Sequence, residues 1–248
     1  MRMKKNYILS GLTFILLFLG CSKIKTPEAK IEREKWIAGF SDSIDYYKQQ
    51  TQRIEENLQE INSKISNQLE NFEMIKKARE VSGYYLLKGW SSKVPFTTTS
   101  IYARINENEK IELIATLQGS TFNQIAVGDG VSEVYSEKVP HDQAFNFRHE
   151  RYNTVYFSGG KADTIAQFIA EHKTEKITLK FLEGKVKQNF IIPGNEKDMI
   201  SSTWNLFNSQ MEARTLQKEL WICSRKIDTF RRMMDANKEM EPENLKQK

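Results

Sequence analysis

Residues 37–75 read IAGFSDSIDYYKQQTQRIEENLQEINSKISNQLENFEMI, and this stretch decides how the N-terminal part of the chain folds. Its apolar residues recur at alternating steps of three and four, which places them on one side of an α-helix. Thr51 and Gln68 are polar members of the same stripe. The apolar members are Ile37, Phe40, Ile44, Tyr47, Ile54, Leu58, Ile61, Ile65, Phe72 and Ile75. A stripe held for roughly five to six heptads predicts a coiled-coil helix.

The composition around this stripe sets the predicted length of the helix. Between Glu28 and Glu80 the sequence has no proline, and Gly39 is its single glycine. We therefore place the coiled-coil helix at residues 28–82, where it would reach roughly 80 Å. Thr51 and Gln68, the two polar positions of the stripe, are expected to fix the register and the partner of the coiled-coil helix. They do so at some cost in the stability of the coiled coil.

A second helix is predicted at residues 195–240, with Asn195 as its cap. Its clearest stripe again steps by four and three. That stripe consists of Leu216, Leu220, Cys223, Ile227, Phe230 and Met234. Upstream, Trp204, Phe207 and Met211 lie on another face, which indicates that the helix there turns its apolar side toward a globular domain.

The segment between the two helices, residues 83–194, is predicted to be β-rich. It holds most of the glycines and nearly all of the alternating apolar and polar pattern. The predicted strands are Ile101–Ile105, Lys110–Leu117, Gln124–Val127, Ser132–Val139, Ala144–His149, Thr154–Ser158, Lys176–Glu183 and Lys185–Ile192. The last two form a hairpin that turns at Glu183-Gly184. One short helix, Lys161–His172, interrupts the strands and follows a capping turn at Ser158-Gly159-Gly160.

The order of these elements predicts an α+β fold. The two long helices bracket the β-rich domain, so they can meet as a long antiparallel coiled-coil hairpin, with the β-rich domain and its one short helix between them. Pairing of each helix with another chain is the alternative that the sequence leaves open. A polar tail, residues 241–248, follows the second helix.

The first residues have the features of an export signal. Arg2, Lys4 and Lys5 precede an apolar run from Tyr7 to Leu19, which is shorter than the about 20 residues that a spanning helix needs. The run ends in LFLGC at residues 17–21, which resembles the lipobox of bacterial lipoproteins, although Phe occupies the position where Leu is usual. An ordinary secretory signal and an uncleaved anchor are the alternatives.

The lipobox predicts a cleaved signal peptide at residues 1–20, lipid attachment to Cys21, including palmitate, and a tether at 21–27. The mature chain would sit in the bacterial cell envelope, and the basic stretch Ser22–Lys25 favours a periplasm-facing position. Cys223 would then have no disulfide partner within the chain, so it is expected to be a buried structural thiol.

The charge balance of the processed chain excludes one class of partner. Removal of Arg2, Lys4 and Lys5 with the signal peptide lowers the formal net charge from +5 to +2. A nearly neutral chain is not expected to bind nucleic acid through its net charge.

No catalytic, cofactor-binding or metal-binding residues are predicted. The chain has three histidines, His141, His149 and His172. The pairs His141-Asp142 and His149-Glu150 match no zinc-binding spacing, and no cysteine accompanies them. Gly128-Asp129-Gly130 is interpreted as a turn and not as a phosphate-binding loop.

The stretch from Arg148 to Tyr152 mixes charges with an aromatic ring, and we predict an interaction surface at Arg148, Arg151 and Tyr152. The predicted function is a non-enzymatic interaction or scaffold protein of the envelope. Its partners would be the membrane, through the lipid, and another protein, with self-association through the coiled coil as a further possibility. The alternative is a lipoprotein that binds a glycan or peptide through surface aromatics. An enzyme ranks third, because no motif supports one.

Several blocks of sequence also resemble a known group. They are YYLL at 84–87, IYARI at 101–105, ELIATLQG at 112–119, VYFSG at 155–159 and KITLKFLEG at 176–184. With the lipobox and the coiled-coil helix, they are similar to a group of lipoproteins common in gut Bacteroidota, which combine a coiled-coil stalk with a β-rich domain. The resemblance covers most of the mature chain and implies this architecture. It implies no activity and no functional residue.

Overall fold

A computed structural model describes five stretches of the chain. They are residues 27–76, 83–94, 97–140, 146–149 and 151–239. The predicted signal peptide, the predicted lipid-attachment residue Cys21 and the polar tail lie outside them. Among the described residues, no helix is both long enough and apolar enough to cross a membrane.

The fold is α+β, as the sequence predicts, with two antiparallel sheets and three helices among the described residues. The helices are α1 (Pro27–Leu69), α2 (Gly160–Glu171) and α3 (Gly194–Glu239). The strands are β1 (Phe72–Ile75), β2 (Tyr84–Leu87), β3 (Ser100–Asn106), β4 (Ile111–Gln118), β5 (Gln124–Gly128), β6 (Glu133–Tyr135), β7 (Asn146–His149), β8 (Tyr152–Ser158), β9 (Thr178–Glu183) and β10 (Lys185–Ile191). All eight predicted strands and the predicted short helix are present, with ends that differ by a few residues.

The chain divides into two compact units. One unit spans Thr51–Ile222 and contains both sheets, and the other combines Met1–Gln50 with Cys223–Lys248. Each long helix therefore contributes residues to both units.

The larger unit is built on a six-stranded sheet with the strand order β1-β2-β3-β4-β8-β7. Successive side chains of a strand point to opposite faces of the sheet, and both faces are covered at the central strands, since Leu113 and Ile114 of β4 are each fully buried. Ile101, Ile105 and Leu113 are fully buried there. Burial of one such side chain contributes roughly 1.5 to 3 kcal/mol to the hydrophobic stabilisation.

The second sheet has the order β10-β9-β5-β6 and shares its core with the first sheet. The ring centre of Phe122 lies 4.8 Å from that of Phe181 on β9 and 6.4 Å from that of Phe157 on β8. This one ring therefore packs between residues of both sheets. The predicted hairpin of β9 and β10 is confirmed, with Gly184 at φ 70°, a conformation that favours glycine. The short helix α2 contacts strands of both sheets.

The first helix ends earlier than predicted. It stops at Leu69, and Phe72 and Ile75, which the heptad pattern assigned to the helix, lie on strand β1. Strand β1 pairs antiparallel with β2, where Phe72 faces Leu87, and Phe72 is buried in the core. A four-residue apolar segment fits either period, and here sheet pairing and core burial override the helical spacing.

The start of the last helix also differs. Helix α3 begins at Gly194, and the backbone N–H of Lys197 donates to the carbonyl of Pro193, 3.0 Å away. Asn195, predicted to be the cap, therefore lies inside the first turn with its side chain exposed. The carbonyl of Pro193 thus accepts a hydrogen bond of the first helical turn, and the helix begins one residue before the predicted start.

The predicted stripes are confirmed as the less exposed sides of the long helices. On α1, the stripe residues Ile37, Phe40, Ile44, Tyr47, Thr51, Ile54, Leu58, Ile61, Ile65 and Gln68 are all buried or half-buried. On α3, the same holds for Leu216, Leu220, Cys223, Ile227, Phe230 and Met234. Upstream on α3, Phe207 is buried and Trp204 is half-buried, as predicted, but Met211 is exposed.

The N-terminal turns of α3 close an open edge of the six-stranded sheet. Strand β2 pairs with β3 only at Ile105 and Asn106, so within the described part of the chain the first half of β3 has no strand partner on that side. There the N–H of Ile101 donates to a carboxylate oxygen of Glu196 at 3.1 Å, and the N–H of Ala103 donates to the Sδ of Met199 at 3.4 Å. Unpaired N–H groups at an edge invite association with other chains, and α3 removes that possibility here.

Burial of Glu196 has a cost that depends on pH. Desolvation raises the pKa of its carboxyl from 4.5 to about 7, while the hydrogen bond from Ile101 acts in the opposite direction. The unfolded chain releases this proton at lower pH than the folded chain does, so the protonated carboxyl stabilises the fold. This stabilisation is fully present below pH 4.5 and is lost as the pH rises through about 7.

Glu196→Gln is therefore expected to be stabilising at alkaline pH, because glutamine can accept the Ile101 hydrogen bond without a buried charge. The expected gain in the free energy of unfolding at pH 8 is on the order of 2 to 3 kcal/mol, and it should vanish near pH 4. Urea denaturation at both pH values measures it, with Glu212→Gln, an exposed position of the same helix, as the control. A variant that is less stable than the wild type at pH 8 would contradict this assignment.

Candidate functional site

The predicted interaction surface lies at the β7–β8 hairpin, at one edge of the six-stranded sheet. Arg148 pairs with Asn153 across the hairpin, and Arg151 occupies the turn, where it is exposed. The carbonyl of Arg151 accepts the N–H of Gly119 at 2.7 Å, which fixes the turn. Tyr152 is half-buried, and the side chain of Arg148 lies outside the described part of the chain. The backbone thus brings the three predicted residues to one hairpin end.

The aromatic residues of the β-rich region point mainly into the core. Trp90, Tyr102 and Phe122 are buried, and in the described part of residues 83–194 Tyr135 is the one aromatic side chain that is largely exposed. Its hydroxyl bonds to the carboxylate of Glu133. The described residues of this region therefore present no cluster of exposed rings of the kind that binds glycans.

Large exposed apolar side chains are instead more common on the long helices. Four aromatic side chains are exposed among the described residues, and three of them lie on these helices: Trp36 and Tyr46 on α1, and Trp221 on α3. Trp36 is 62% exposed, the largest exposure among them. Aromatic side chains are enriched at protein–protein interfaces relative to the rest of a protein surface.

Within the smaller unit, Trp36 borders a shallow apolar groove. Its ring centre lies 6.0 Å from that of Phe40, and Phe40 lies 6.1 Å from Phe230. Gly39 lines the same groove, and nothing lies within 4 Å of the position that a Cβ would occupy there. The rings and the missing side chain together leave an open apolar surface on the helix.

A charged pair within the six-stranded sheet is a structural feature. The Nε of Arg104 lies 2.7 Å from a carboxylate oxygen of Glu112, and both side chains are 19% exposed. The guanidinium carbon of Arg104 lies 4.2 Å from the ring centre of Tyr84 and 5.3 Å from that of Tyr156. Asn106 donates to the other oxygen of Glu112 at 2.9 Å, so each carboxylate oxygen accepts a hydrogen bond.

A second polar cluster joins two connections of the larger unit, and we call it the histidine–carboxylate cluster. It consists of Asp129 in the β5–β6 turn, His172 at the C-terminal end of α2, and Glu175 in the connection to β9. One ligand atom from each residue lies within 4.8 Å of the other two. The sequence interpretation identified Gly128-Asp129-Gly130 only as a turn and found no zinc-binding pattern among the histidines. The spacing of His172 and Glu175, three residues apart, was the one local signal.

The remaining residues considered in the sequence analysis are two histidines and the two cysteines. The side chains of His141 and His149 lie outside the described residues, as does Cys21. Cys223 is buried and free, in agreement with the prediction of a structural thiol.

Arg104→Ala tests whether this arginine holds the fold together. The change leaves Glu112 nearly buried without its charged partner, and we expect a loss of about 3 kcal/mol in the free energy of unfolding, as for other broken buried pairs. Lys161→Ala removes a partner from the pair with Glu137, whose side chains are 56% and 63% exposed, and should cost less than about 1 kcal/mol. Urea denaturation of both variants gives the comparison. Equal costs in the two variants would show that Arg104 has no special structural role.

No protein-family model, no curated protein and no solved structure matches this chain.

Proposed function

We propose that this chain is a lipid-anchored protein of the bacterial cell envelope that acts as a non-enzymatic interaction or scaffold protein. The observation that carries the proposal is the exposure of aromatic side chains on the long helices, above all Trp36, while those of the β-rich region are mostly buried. A surface of this kind suits contact with another protein. The alternative, a glycan- or peptide-binding protein, would need a cluster of exposed rings in the β-rich region, and the described residues offer only Tyr135.

The anchor rests on the sequence around Cys21. The basic start, the apolar run and the small residue Gly20 before the cysteine are the features that a lipoprotein signal requires. In this proposal the protein belongs with the lipoproteins of Bacteroidota that it resembles, and the basic residues after Cys21 favour a periplasm-facing position.

We further propose that the two long helices pair as an antiparallel coiled-coil hairpin. The support comes from their less exposed stripes and from contacts in the smaller unit. Phe40 and Tyr47 of α1 both lie about 6 Å from Phe230 of α3, measured between ring centres, at 6.1 and 6.0 Å. The Nζ of Lys226 donates to the hydroxyl of Tyr47 at 2.9 Å. Pairing of this kind would turn the helices into a rigid support for a contact surface.

Lipid attachment is tested by substitution of each cysteine in turn. Cys21→Ser is expected to abolish uptake of labelled fatty acid and to release the protein from membranes, because the acceptor thiol is gone. Cys223→Ser is the matched control and should label as the wild type does, since that thiol is buried. Labelling of the Cys21→Ser variant would show that the lipobox interpretation is wrong.

The contact surface is tested by a photo-crosslinking amino acid placed at single positions in native envelopes. We expect a protein adduct from position 36 on α1 and none from position 55, an exposed polar position of the same helix. Position 151, in the β7–β8 turn, tests the surface that the sequence predicts. An adduct from position 151 alone would show that the contact lies in the β-rich region, which would contradict a contact surface on the helices. The absence of adducts at all three positions would contradict a role in protein interaction.

A further inference from the structure

We propose that Asp129, His172 and Glu175 bind a divalent transition-metal ion of the zinc class. All three residues belong to the larger unit, and they come from two connections that adjoin the second sheet. The proposal adds a binding site that the predicted function does not include, and it departs from the sequence interpretation, which predicts no metal site.

The distances between the donor atoms suit a small ion. The Nδ1 of His172 lies 3.3 Å from an oxygen of Glu175 and 3.6 Å from an oxygen of Asp129. Donors bound to tetrahedral zinc at 2.0 to 2.1 Å are separated by about 3.4 Å, as follows from the tetrahedral angle. The carboxylate of Glu175 is 54% exposed, so it can move the short distance that would complete the set.

The Nδ1 atom of His172 faces both carboxylates. It is buried from solvent, and no hydrogen bond satisfies it. An imidazole nitrogen has either one hydrogen or one lone pair, so it can satisfy at most one of the two carboxylates that face it. A cation placed between the three atoms would bind the lone pair and both carboxylates at once.

The surroundings hold two of the donors in place before any ion binds. One oxygen of Asp129 accepts the backbone N–H groups of Val131 and Ser132, both at 2.8 Å, so its other oxygen faces His172. The ring of His172 stacks on Phe168 at 4.4 Å. Bonds of this kind to the ligands of a metal fix their orientation.

The donor types select the class of ion. One imidazole nitrogen with two carboxylate oxygens is a set that zinc and related transition metals accept, whereas calcium and magnesium prefer oxygen donors alone. Two carboxylates and a neutral imidazole carry a formal charge of about −2, which a divalent ion neutralises. A bound ion would join the β5–β6 turn to the end of α2 and stabilise the fold of the larger unit by mass action.

The test is titration of the full chain with Zn²⁺ alone, followed by calorimetry or by competition with a coloured chelator. Wild-type protein should bind one ion with saturable affinity, and its melting temperature should rise with Zn²⁺ and fall again after chelation. Loss of a group that merely supports a metal ligand weakens binding by 10- to 100-fold, so loss of a direct ligand should weaken it at least about tenfold. We expect this in His172→Gln and in Glu175→Gln, and the side chain of Glu175 is exposed.

The control is Glu171→Gln, which removes an exposed carboxylate next to the cluster but outside it. This variant should bind Zn²⁺ as the wild type does. Zn²⁺ binding of equal affinity in the wild type, His172→Gln and Glu175→Gln would overturn the proposal, because the ion would then sit elsewhere. The same conclusion follows if the wild type binds no Zn²⁺, or if Glu171→Gln weakens binding as much as Glu175→Gln does.

Discussion

The hydrogen bond from the Ile101 N–H to the buried carboxyl group of Glu196 holds the first turns of α3 against the six-stranded sheet, and the covering of that sheet depends on it. Strand β3 is internal to the six-stranded sheet, yet β2 is too short to pair with its first half. A buried N–H without an acceptor costs about 1 to 3 kcal/mol, so that edge must be covered. The first turns of α3 supply both the acceptors and the apolar cover, because Met199 and Ile200 are fully buried beside Glu196. The position of the last helix on the sheet follows from this requirement.

The sequence predicts most of this architecture because its strongest signals are periodic. The heptad stripe of α1 and the alternation in β3, β4 and β9 each repeat over many residues, so single exceptions do not hide them. The ends of elements are harder to predict. Phe72 satisfies the helical stripe as well as the pattern of a strand, and only its pairing with Leu87 decides for the strand. Strand β2 was not predicted, because Tyr84–Leu87 is a continuous apolar run without alternation.

The candidate sites differ in how far the sequence could identify them. The location of Arg148, Arg151 and Tyr152 on one hairpin could be predicted, because these residues are close together in the chain and lie at the end of a predicted strand. The histidine–carboxylate cluster was not, because Asp129 meets His172 and Glu175 only through the packing of α2 against the second sheet. The Glu196 contact was hidden for the same reason, since its partner Ile101 lies far away in the sequence. Periodicity reports which side of an element is buried, and it does not report which polar groups meet across elements.

The role of Glu196 is tested most directly by amide hydrogen exchange at Ile101 and Ala103. If α3 closes the edge of β3, both amides should exchange as slowly as that of Ala115, which lies in the middle of the same sheet, because all three are then released by the same opening of the sheet. Rapid exchange at Ile101 and Ala103, at the rate of the exposed strand β10, would contradict the account, because it would mean that this edge of the sheet is open in solution.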